Sequence, residues 1–134
     1  MNIVFKRLSA AMIAAAAAVS PAFADYADFS GKWAVNGHII GGGAYLLVMP
    51  VCTLQQNGGE ISGFCRGPNG EGPAAGSANG FQIKFQWQVH PTNPMGVAGV
   101  ASFIGALGGD GVVRGRWTSS AWRGAVGDFT ATRV

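Results

Sequence analysis

Glycine is the residue that most limits what this chain can become. All 22 glycines fall after position 24, within the 110 residues from 25 to 134, so about one residue in five there is glycine against an average near 7%. Each glycine weakens an interior helical position by about 1 kcal/mol relative to alanine, which excludes a mainly helical domain. Disorder, the other outcome of glycine richness, requires a chain poor in apolar side chains, whereas apolar residues here are frequent and regularly spaced. A β-domain with many tight turns remains.

The periodicity agrees. From Phe81 to His90 five apolar residues alternate with five polar ones, the period-2 pattern of a strand with one face in a core and one in water. Asn79-Gly80 before it has the chemistry of a type I′ hairpin turn and folds it back onto Ala74 to Ala78; Pro91-Thr92-Asn93-Pro94 ends it. The same reasoning predicts strands over Lys32 to Ile39, Ala44 to Met49, Val51 to Gln56, Glu60 to Arg66, Val97 to Leu107, Val112 to Ser119 and Asp128 to Arg133. Gly41-Gly42-Gly43, Gly58-Gly59, Gly67-Pro68-Asn69-Gly70 and Gly108-Gly109-Asp110-Gly111 supply turns between them.

Short strands at this spacing describe an antiparallel meander. Closure into an up-and-down barrel of about eight strands removes the two exposed edges, and a β-sandwich is the alternative. In Ala44 to Met49 and Val97 to Leu107 both alternating sets are apolar or small. Their outer face is covered by a loop, or is simply tolerated as exposed Ala and Val, or is an interface in a homo-oligomer.

Residues 1 to 24 carry the marks of an export signal. Lys6 and Arg7 form a basic start, Leu8 to Val19 an alanine-rich apolar core, and Ala22-Phe23-Ala24 a small-x-small cleavage site after Pro21. The apolar run is too short to cross a bilayer of roughly 30 Å. The expectation is a periplasmic or secreted protein whose mature chain, residues 25–134, begins at Asp25 and forms a single barrel domain.

Export makes the two cysteines informative. With Gly58-Gly59 as a two-residue turn, Asn57 faces Glu60, and stepping outward places Cys52 opposite Cys65. Alternation makes this a non-hydrogen-bonded pair, with Cα atoms about 4.5 Å apart, inside the disulfide range of about 4.4–6.8 Å. In an oxidising compartment such a pair forms a structural disulfide.

Charge narrows the partners. Without Lys6 and Arg7 the chain has seven basic and six acidic residues, which is no nucleic-acid footprint, and no polybasic or amphipathic segment suits a membrane surface. His38 and His90 lack a third ligand at metal spacing. No nucleophile elbow, phosphate-binding glycine loop or paired carboxylates occur, so neither an enzyme nor a cofactor is expected.

Phe29-Ser30-Gly31-Lys32-Trp33 resembles the Gly-x-Trp opening of the calycin superfamily, which includes lipocalins, avidins and bacterial metalloprotease inhibitors. The resemblance implies a Trp33 that packs at the closed end of a barrel beneath a basic residue of the last strand, here Arg133, as an architectural cation–π pair. The segment Ala121 to Thr130 resembles the last stretch of avidins. By that resemblance Trp122 caps a ligand from a neighbouring subunit, Asp128 reaches the ligand, and Trp117 belongs to the barrel wall. Avidins place polar residues on the first strands where this chain has Val35, Gly37 and Ile39, and Cys65 stands where their third-strand Tyr is expected, so a ureido ligand is not implied.

Two functions follow. One is a barrel in which Phe85, Trp87, Phe103 and Trp117 enclose a small apolar or amphipathic ligand, with strand glycines leaving space in the lumen; the bland alternative for Trp87, Trp117 and Trp122 is ordinary barrel core. The other is an exported inhibitor or interaction module that uses exposed turns such as Gly67 to Pro73.

Overall fold

A computed structural model describes residues 27–41, 48–121 and 125–134. The export segment, most of the expected strand Ala44 to Met49 and Trp122 lie outside these residues. Eight antiparallel strands form a closed barrel in sequence order: β1 Gly31–Gly41, β2 Val51–Asn57, β3 Glu60–Arg66, β4 Gly70–Asn79, β5 Gln82–Pro91, β6 Gly99–Leu107, β7 Val113–Ser119 and β8 Val126–Arg133. Each strand pairs with the next, and β1 pairs with β8 from Trp33↔Arg133 to Gly41↔Val126, with a bulge at Ile39/Gly41. The sandwich alternative is thereby excluded.

Two details of the expected meander change. Asn79 pairs with Gln82, so the tight turn is Gly80-Phe81 rather than Asn79-Gly80, and Gly80 takes φ 62° at the first central position, the place of glycine in a II′ turn. Phe81 is consequently 48% exposed instead of joining the core with Ile83, Phe85 and Trp87. Likewise β4 starts at Gly70, so Glu71 to Pro73 are strand and the surface turn is confined to Gly67–Asn69.

Alternation does the sorting. Ile83, Phe85 and Trp87 of β5 are buried while Gln82, Lys84, Gln86 and Gln88 are exposed. On β6, Ala101 and Phe103 point inward and Val100, Ser102, Ile104 and Ala106 outward, with Ile104 63% exposed. That outer row is apolar but narrow. Lys84 and Arg116 flank Ile104, Gln86 and Thr118 flank Ser102, and Gln82 and Arg114 flank Ala106.

The β2–β3 hairpin has the expected register, with Asn57↔Glu60 and Cys52↔Cys65 paired. The cysteines are joined by a disulfide with Cα atoms 4.0 Å apart, and both are fully buried. A bridge over a separation of 13 residues is expected to contribute about 3 kcal/mol or less. Chemical denaturation of the oxidised protein against the Cys52→Ala/Cys65→Ala variant should show that loss with an unchanged β-sheet spectrum; equal midpoints would contradict it.

Candidate functional site

The two ends of the barrel differ. At one end the β2–β3, β4–β5 and β6–β7 turns are short, and residues 27–30 cross the opening. Phe29 is buried there; its N–H donates to Gln56 Oε1 at 2.8 Å, and the Gln56 N–H donates to Ser30 Oγ at 3.0 Å. The Trp33 indole N–H donates to the Phe29 carbonyl at 2.9 Å. Arg133 Cζ lies 4.3 Å from the Trp33 ring centroid, with its guanidinium donating to the carbonyls of Ser30, at 2.8 Å, and Asp28. Hydrogen bonds from Ser30, assisted by the Arg133 charge, hold the Asp28 carboxyl below its usual range. This end is therefore sealed by packing, hydrogen bonds and a cation–π stack.

Above the seal the lumen is full. Phe85 and Phe103 stack with centroids 4.9 Å apart, and Phe103 meets Phe129 edge-on at 5.2 Å. The space left among Phe29, Trp33, Phe85 and Phe129 is a cavity of about 10 Å³. That is about one water-sized sphere with apolar walls, so it stays dry and admits no ligand.

Nor do the strand glycines open the lumen. Trp117 packs against two of them: an added Cβ at Gly37 would lie 2.9 Å from Trp117 Nε1, and one at Gly127 would lie 2.5 Å from it. The Trp117 N–H donates to the Asp128 carbonyl at 3.0 Å. The glycines accommodate the indole and the close approach of neighbouring backbones.

Among the described residues the opposite end is open. The strand ends joined by the β1–β2, β3–β4, β5–β6 and β7–β8 connections lie here, and a pocket of about 390 Å³ lies among Val48, Asn69, Trp87, Met95, Val97 and Ser119, with Val89 and Ala101 of β5 and β6 also lining it. One wall is held by a polar clasp between two connections. Asn93 Nδ2 donates to Asn69 Oδ1 at 3.1 Å and to the Pro68 carbonyl at 3.2 Å, the Thr92 N–H donates to the Asn69 carbonyl at 3.0 Å, and the Met95 N–H donates to Asn93 Oδ1 at 2.8 Å. Opposite it, Ser119 Oγ accepts from the Ala121 N–H at 3.1 Å.

The residues singled out in the sequence are therefore divided. Trp87 lines the open pocket. Phe85 and Phe103 lie in the filled lumen and do not line the pocket, and Trp117 is buried in its glycine slot. Asp128 sits at an outward position of β8; its side chain is 63% exposed and 3.8 Å from Arg116, so it faces solvent rather than the pocket. Trp122 lies outside the described residues. The pocket residues that sequence reasoning missed include Val48, Asn69, Val89, Met95, Val97, Ala101 and Ser119. Their only signal was position in connections or near strand ends that topology brings to the same end.

Among the described lining residues the side chains are mostly apolar, and none carries a charge. His38 and His90 are exposed, and no group of three metal-ligating side chains occurs among the described residues. Asp110, whose carboxyl is drawn down to about 2 by hydrogen bonds from Arg114 and the Val112 N–H, belongs to the β6–β7 turn at the sealed end. Comparison with protein-family models, curated proteins and solved structures found no match to this chain.

Proposed function

We propose that this chain is an exported, non-catalytic binding protein that holds one small apolar or amphipathic molecule in the open end of its barrel. The observation that carries the reading is the asymmetry of the two ends: one is sealed by Phe29, Trp33 and Arg133, and the other opens into a 390 Å³ pocket, within the size range of small-molecule sites. The Gly31-Lys32-Trp33 opening beneath Arg133 supports a calycin-like reading of the barrel. Its disulfide suits an oxidising compartment and agrees with the export signal read at residues 1 to 24.

The uncharged fluorophore N-phenylnaphthylamine is expected to bind one-to-one with a blue-shifted, enhanced emission. Val97→Trp, which fills the mouth from a 38% exposed position, is expected to weaken that binding at least about 10-fold with little change in melting temperature, since it places a large side chain where the ligand would sit. Failure of the wild type to bind, or equal binding by Val97→Trp, would defeat the reading. A second reading, a protein-interaction module using its connections, is favoured by Met95, which is 76% exposed at the tip of the β5–β6 connection. Its mark would be a partner that protects Met95 from oxidation while the pocket still accepts the fluorophore.

A further inference from the structure

Three tryptophans lie among the described residues, and they differ in how their indole nitrogens are satisfied. Trp33 donates to Phe29 and Trp117 to Asp128. Trp87 is only 5% exposed, yet its Nε1 is buried with no hydrogen-bond partner among the described residues. Buried indole N–H groups ordinarily find an acceptor, and one left without a partner forfeits its hydration. Of the three, Trp87 alone borders the open pocket.

Small residues flank this ring at three positions. Its cross-strand neighbours are Ala74 and Ala101, and at its far edge stands Gly67, where an added Cβ would lie 3.2 Å from Trp87 Cη2. None of these three positions carries a bulky side chain, and to reach a ligand in the cavity the indole nitrogen would have to tilt toward it. The pocket offers no described countercharge for an ion, and an unpaired charge is costly to bury.

Resting on the reading of this pocket as a ligand site, we propose that it selects uncharged ligands bearing a hydrogen-bond acceptor, such as a ketone, ester or amide on an apolar body, and that Trp87 Nε1 is the donor to that acceptor. A hydrocarbon of the same shape would fill the space but leave the indole unsatisfied. A carboxylate would satisfy the indole but bring a charge the pocket does not balance.

The experiment compares acetophenone, its carbonyl-free isostere ethylbenzene, and benzoate on the oxidised full-length mature protein, followed by NMR of the indole N–H resonances. Acetophenone should bind about 10-fold more tightly than ethylbenzene, the effect of one buried hydrogen bond, and more tightly than benzoate. Only acetophenone should move the Trp87 indole N–H resonance strongly downfield. Trp87→Phe should bind both neutral compounds alike. Equal wild-type affinities, an unmoved Trp87 resonance in the acetophenone complex, or a ketone preference that persists in Trp87→Phe would overturn the inference while leaving the pocket as a binding site. Failure of all three compounds and of N-phenylnaphthylamine to bind would remove both.

Discussion

Trp33→Ala is expected to destabilise the barrel by about 3–5 kcal/mol, the range for truncating a buried aromatic. The indole is 2% exposed, sits opposite both Cys52 and Arg133 in the sheet, and donates to the Phe29 carbonyl. Its removal therefore leaves a cavity beneath the disulfide and frees the strap that seals the end. Arg133→Ala should cost less, because the guanidinium is more exposed, but the two should be coupled. A double-mutant cycle is expected to return about 0.5–2 kcal/mol for the stack, and strictly additive losses in denaturant melts would contradict it.

Gly127→Val is expected to cost about 3 kcal/mol, the upper part of the usual range for overpacking. A Cβ at this position would run into the His38 carbonyl oxygen and lie 2.5 Å from Trp117 Nε1 and 2.7 Å from Cε2, so both the β1–β8 ladder and the Trp117 hydrogen bond would have to shift. Gly58→Ala makes the contrast. Its φ of 61° strains an L-residue by about 1–2 kcal/mol, but nothing lies near an added Cβ, so the loss should stay within that strain. Urea melts showing Gly127→Val no more harmful than Gly58→Ala would contradict the packing described for Trp117.

The barrel was legible because its signals are local. Alternation in Phe81 to His90, glycine turns and the hairpin arithmetic from Cys52 to Cys65 each depend on neighbours in the chain. Errors of one or two residues arise where two turn chemistries compete: Asn79-Gly80 and Gly80-Phe81 both suit a tight turn, and only the register with β6 and β4 decides. The site was less legible. Phe85, Phe103 and Trp87 share one alternation pattern, and nothing local says that Phe103 packs between Phe85 and Phe129 in the lumen while Trp87 stays at the pocket. Asp128 and Phe129 are adjacent in sequence but face opposite sides of the sheet. Strand glycines read as empty lumen because the indole that fills Gly37 and Gly127 comes from Trp117 on another strand.

Backbone amide NMR of the oxidised protein, titrated with N-phenylnaphthylamine, tests most directly whether one end of the barrel is a ligand site and the other a plug. Saturable shifts should concentrate at Val48, Asn69, Trp87, Met95, Val97 and Ser119, leaving Phe29, Trp33 and Arg133 unmoved. Shifts centred on the sealed end or on the outer face around Ile104, or no saturable shifts at all, would contradict it.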